Sequence, residues 1–163
     1  MDWQTRVDAL WASLESTDPG DFVDRMTLLA SERPEGDAIA AFELAAAQDS
    51  TGHPDLAVPL YRAALSAGLS GERRRRAVIQ LSSSLRNLGE LDEALALIEP
   101  EADRESSSLD DAVRATHALA LSSLGRDREG LALVLEALAP HLPRYQRSMG
   151  NYARALVSPS DPD

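Results

Sequence analysis

The chain has 163 residues and a net charge of −11, from 27 acidic and 16 basic side chains. That charge repels phosphate backbones and anionic lipids, which argues against nucleic acid or a membrane as partner. The chain contains no cysteine, so disulfides and thiol chemistry are excluded. The length suits one domain, and a hydrophobic content of 44% with only 4% aromatic residues favours closely packed helices rich in Leu, Ala and Val, hence an all-α fold.

Residues 1–34 are predicted to form a helical hairpin. Trp3, Val7, Leu10 and Trp11 recur at helical spacing, and the break at 18–20 precedes a second apolar series. The first residues lack a basic region followed by an apolar stretch, and no run reaches the roughly 18 apolar residues of a membrane span. We therefore expect a cytoplasmic protein.

A repeat follows, and each of its three copies is marked by a glycine: Gly52, Gly89 and Gly125, which are 37 and 36 residues apart. In the first and third copies a small residue follows the glycine by five positions, a large apolar residue by nine, and Ala-Leu by twelve and thirteen. These residues are Ala57, Tyr61 and Ala64-Leu65 in the first copy, and Gly130, Val134 and Ala137-Leu138 in the third. The second copy matches at Ala94 and Ile98 until Pro100 stops the helix, so its second helix is predicted to be short.

Each position of the pattern has a physical role. Glycine ends a helix in the left-handed conformation without steric cost, and the small residue allows two helices to cross closely. Gly130 replaces the alanine of the other copies, and Pro59 lies a turn inside a predicted helix, where it removes one backbone hydrogen bond. Residues 108–111 read as a capping box at the start of the third copy.

This pattern resembles the tetratricopeptide repeat, and residues 38–156 resemble short stand-alone bacterial tetratricopeptide proteins of uncharacterised function. The resemblance implies a right-handed superhelical stack of antiparallel helix pairs with about nine helices. The predicted parts are the hairpin 1–34, three repeats at 35–69, 72–102 and 108–139, a capping helix at 142–157 and a flexible tail at 158–163.

In such stacks the first helices of the pairs line a concave groove. Carried over by position, the groove residues are Phe42, Asp49, Arg76, Ile79, Ser83, Arg86, Asn87, Leu119, Ser122, Arg147, Asn151 and Arg154. The arginines among them contrast with the acidic remainder of the chain, and guanidinium groups bind carboxylates well. This suggests recognition of an acidic segment or a free C-terminus of a partner protein; the alternative is that these arginines pair with neighbouring carboxylates.

Catalytic and metal-binding chemistry has little support. The three histidines, at positions 53, 117 and 141, do not cluster, and no phosphate loop, zinc motif or nucleophile elbow occurs. His117 is expected to be an interior histidine, the run 73–76 a solvated helix face, and the aromatic residues core members or interface anchors.

We therefore expect a non-enzymatic protein-interaction module without cofactor or metal. The alternative is a homo-oligomerisation module with a partly self-occupied groove, in which the ends of the stack or the N-terminal hairpin build a homodimer. An exposed Trp3–Trp11 stripe would indicate docking through the hairpin. A small-ligand protein or an enzyme ranks last.

Overall fold

A computed structural model describes residues 1–104 and 107–158, and within these ranges the chain forms nine α-helices and no strand. The chain divides into two compact units, Met1–Leu88 and Gly89–Asp163, where the length had suggested one domain. The boundary lies inside the second predicted repeat. A repeat protein has no single central core because each pair packs only on its neighbours.

The first unit contains five helices: α1 Trp3–Trp11, α2 Pro19–Ser31, α3 Ala38–Ser50, α4 Pro54–Ser66 and α5 Gly71–Asn87. Aspartates at positions 2, 18 and 37 cap α1, α2 and α3 by accepting hydrogen bonds from backbone amides of the first turn. Helix α4 continues through Pro59, whose side chain is exposed.

The predicted hairpin is present as α1 and α2, and its tryptophans belong to the core. Trp3 and Trp11 pack against a buried cluster that includes Val7 and Phe22. The indole N–H of Trp3 donates to the carbonyl of Leu29 at 2.7 Å. With both rings packed in this way, the hairpin presents no exposed tryptophan stripe for a second copy.

The second unit contains α6 Leu91–Ile98, α7 Asp110–Ser123, α8 Asp127–Leu138 and α9 Gln146–Val157. Helix α6 has only eight residues and passes into a 3-10 turn, Glu99–Asp103, as Pro100 predicted. The capping box predicted at 108–111 is not formed: α7 begins at Asp110, and its N-cap Leu109 has an apolar side chain that cannot accept a hydrogen bond. The Asp110 carboxylate instead accepts a hydrogen bond from the backbone N–H of Ser107 at 3.1 Å. Of the predicted tail, only Ser158 lies within the described residues.

The repeat glycines act as the sequence predicts. Gly52, Gly89 and Gly125 have φ angles of +88°, +85° and +75°, in the left-handed region that ends a helix. Gly130 allows the closest crossing: a Cβ built there would lie 2.8 Å from the backbone oxygen of Ala118 on α7. Glycine in place of alanine is therefore a requirement of the α7–α8 contact.

Candidate peptide-binding surfaces

Phe42, predicted to line the groove, is fully buried. Its ring lies 6.2 Å from the ring of Tyr61, centroid to centroid, and the guanidinium carbon of Arg76 lies 5.2 Å from the Phe42 centroid. A side chain without exposed surface cannot contact a ligand. Phe42 instead forms the platform on which the exposed Arg76 guanidinium rests through a cation–π contact.

Asp49 is half-buried within a small polar network that joins three helices of the first unit. Its carboxylate accepts a hydrogen bond from the Ser84 hydroxyl at 2.9 Å and a longer one from the Tyr61 hydroxyl at 3.4 Å. Burial raises the pKa of Asp49, and the two hydrogen bonds oppose that shift. Burial likewise raises the pKa of Tyr61, and the nearby Asp49 charge adds to the effect. Ser84 contributes to this network, although it is not among the groove residues that the sequence predicted.

The remaining predicted residues of α5 form a partly exposed polar surface. Ile79, Ser83 and Arg86 are half-buried, and Asn87 is exposed. The Arg86 Nη2 group donates to the side-chain oxygen of Asn87 at 2.9 Å, whereas its buried Nε has no hydrogen-bond partner within residues 1–104 and 107–158. Among the residues that the structure describes, neither Arg76 nor Arg86 forms an ion pair.

The arginine run 73–76 is not the solvated face that the sequence suggested. Arg75 is only 7% exposed, and Arg73 is half-buried, with Nε 3.3 Å from the carboxylate of Glu43 and Nη2 2.6 Å from the side-chain oxygen of Gln4. Glu43 itself is buried and also accepts the indole N–H of Trp11 at 2.8 Å. Successive residues of a helix point about 100° apart, so the run is divided between the core and the surface.

In the second unit, Leu119 of α7 is 52% exposed, and the hydroxyl of the exposed Ser122 donates to Asp127 at 2.6 Å. The three predicted residues of α9, namely Arg147, Asn151 and Arg154, are all exposed, and Arg154 Nη2 lies 2.5 Å from the Asn151 side-chain oxygen.

Two aromatic residues expected in the core or at an interface are exposed on the C-terminal segment: Tyr145 is 74% and Tyr152 64% exposed. Both line an open surface cavity of about 580 Å³. Tyr145 has a φ of +70°, a strained conformation for a residue other than glycine, at the N-terminus of α9.

His117 is interior, as predicted, and its Nδ1 has no hydrogen-bond partner among the described residues. Burial lowers its pKa, and the negative charge of Glu99 opposes that shift. His141 is exposed and lies 2.9 Å from a carboxylate oxygen of Asp111. In the described ranges no group of three or more His, Asp or Glu side chains is placed to hold a metal ion.

A family profile described as "Tetratrico peptide repeat" matches residues 38–156. The chain belongs to the tetratricopeptide repeat family. No curated protein and no solved structure gives a significant match. Tetratricopeptide repeats are in general non-catalytic scaffolds for protein–protein interaction, and the nine helices described here agree with a helical repeat stack. None of the helices within residues 1–104 and 107–158 is both long and apolar enough to cross a membrane.

Proposed function

We propose that this tetratricopeptide protein is a non-enzymatic adaptor that binds an acidic segment or a free C-terminus of a partner protein along the first helices of its repeats. The observation that carries the proposal is the state of Arg76 and Arg86 on α5. Neither guanidinium has a carboxylate partner among the described residues, although the chain is strongly acidic.

The neighbouring carboxylates are already engaged elsewhere, which argues against internal pairing of these two arginines. Glu43 is bonded to Arg73 and Trp11, and Asp49 accepts hydrogen bonds from hydroxyl groups. Arg76 is held in place by Phe42 rather than by a counter-ion, so little side-chain entropy remains to be lost on binding.

The surface around the arginines suits a peptide backbone. Ser83 and Asn87 supply hydrogen-bonding groups on the same helix, and Ile79 supplies a small apolar contact. In the second unit, Arg147 and Arg154 are equally without ion pairs among the described side chains and offer further cationic contacts. A carboxylate reaching such a donor gains a charge-assisted hydrogen bond.

Fluorescence anisotropy with labelled octapeptides tests the proposal. The set contains acidic sequences with a free C-terminal carboxylate, the same sequences amidated, and basic controls. Arg76→Ala and Arg86→Ala are each expected to weaken binding of the acidic peptides about tenfold to a hundredfold, since a hydrogen bond to a charged group contributes roughly 1.5–3 kcal/mol.

Arg25→Ala is the control, because Arg25 is exposed like Arg76 and forms no ion pair among the described residues but lies on α2. Affinity unchanged in both α5 variants would overturn the proposal. A selective loss on amidation would assign the site to a free C-terminus rather than to an internal acidic segment.

A further inference from the structure

Helix α8 exposes an apolar stripe that the earlier repeats keep covered. Leu131, Val134 and Leu138 are 49%, 43% and 46% exposed. They stand six, nine and thirteen positions after the repeat glycine. The spacing of three and four residues places them on one side of the helix, along about 10 Å of its length.

The same positions in the first repeat are Val58, Tyr61 and Leu65 of α4. Val58 and Tyr61 are 6% and 0% exposed, and Leu65 is half-buried. The next helix, α5, packs on α4. In the second repeat the position nine after the glycine is Ile98, which is also fully buried, and α7 packs on α6. Tyr61 also packs on Phe42 of α3, in its own repeat. In the first two repeats this side of the second helix is thus covered, and each second helix is followed by a helix that packs on it.

Helix α9 packs on α8 but covers a different side. Ala132 and Ala139 are 4% and 6% exposed, and Leu135, on the same side, is half-buried. The corresponding positions of the first repeat, Pro59, Arg62 and Ser66, are all exposed. The predicted capping helix thus leaves the apolar stripe of α8 open.

The geometry points to a second copy of this chain as the occupant, with α8 packed antiparallel on α8 of the other copy about a two-fold axis. Such an arrangement is self-complementary: Val134 lies beside the axis, and Leu131 faces Leu138 of the other copy. Two-fold dimers are the commonest soluble oligomers.

The charge distribution favours this end of the chain for self-association. Residues 127–163 contain four basic and five acidic side chains, a net charge of −1, whereas residues 1–126 contain 22 acidic and 12 basic side chains, a net charge of −10. Two copies repel each other over most of the sequence, and the α8–α9 segment is where that repulsion is smallest. Three partly exposed residues cover only part of the roughly 800 Å² per partner of a stable interface, so the dimer is weak.

Sedimentation velocity from about 1 to about 200 μM covers the range in which a weak dimer dissociates. The wild-type chain is expected to shift from monomer to dimer, and added salt is expected to strengthen the dimer by screening the net charge. Val134→Glu is expected to raise the dimer dissociation constant at least about a hundredfold, because two unpaired carboxylates would meet at the axis. Leu56→Glu is the matched control: Leu56 is 48% exposed on α4, and its substitution is expected to leave the dimer unchanged.

Because the chain contains no cysteine, a single introduced one reports the symmetry. Oxidised Val134→Cys is expected to form a covalent dimer, and Leu56→Cys to remain monomeric. A wild-type chain that stays monomeric throughout the concentration range would overturn the proposal. Higher oligomers without a covalent Val134→Cys dimer would also overturn it, because they would indicate head-to-tail association. Arg76→Ala is expected to leave the dimer intact, so this proposal and the peptide-binding proposal can fail separately.

Discussion

Gly130→Ala is the substitution for which the structure gives the most specific expectation. An alanine inside a helix is ordinarily about 0.5–1 kcal/mol more stable than a glycine. At Gly130, however, the new Cβ would lie 2.8 Å from the backbone oxygen of Ala118, and a backbone atom cannot rotate away. Forcing α7 and α8 apart costs typically about 1–3 kcal/mol. We expect a net destabilisation of about 1–2 kcal/mol.

Gly150 in α9 provides the control. Its nearest atom to a built Cβ is Arg154 Nη1 at 3.6 Å, an ordinary contact at the end of a flexible side chain. Gly150→Ala should therefore show only the helix gain, a stabilisation of about 0.5–1 kcal/mol.

Thermal unfolding followed by far-ultraviolet circular dichroism, supported by urea titration, measures both variants. The midpoints should move in opposite directions, by roughly 2–4 °C per kcal/mol for a chain of this size. A Gly130→Ala variant as stable as the wild type, or more stable, would refute the close-crossing argument.

Two further predictions concern buried polar groups. Burial lowers the folded-state pKa of His117 below the usual value for histidine, so the unfolded chain binds the proton more readily. The stability that neutral His117 contributes is complete above about pH 6.5, the ordinary pKa of histidine, and is lost as the pH falls through the folded-state pKa. His117→Leu should remove that part of the pH dependence of the free energy of unfolding, measured by urea titration between pH 7.5 and 5.5. His53→Gln is the surface control. Equal pH profiles for the wild type and His117→Leu would contradict a lowered pKa of His117. Glu43→Ala should destabilise the first unit by about 2 kcal/mol, because the Trp11 indole N–H loses its acceptor and Arg73 its ion pair. Tryptophan fluorescence during urea unfolding reports this directly, since both tryptophans lie in α1, and an unchanged midpoint would argue against a stabilising role for the buried carboxylate.

The sequence determined the repeat class, because its signals are local. A glycine with positive φ ends a helix wherever it stands, and Pro100 shortens α6 without help from the rest of the chain. The family profile over 38–156 confirms the resemblance to the tetratricopeptide repeat. The prediction of a capping box at 108–111 was wrong, because a capping hydrogen bond depends on the backbone angles of a single residue, and the residue types alone do not determine those angles.

Tertiary packing decided which side of each helix meets a neighbour. The sequence placed Phe42 on a groove and residues 73–76 in solvent, but Phe42 is buried beneath Arg76, and Arg75 is directed inward. The spacing of apolar residues in the sequence predicts an apolar stripe on a helix, but it does not show which element packs against that stripe. The same repeat position is therefore fully buried at Tyr61 and 43% exposed at Val134, a difference that the repeat pattern does not contain.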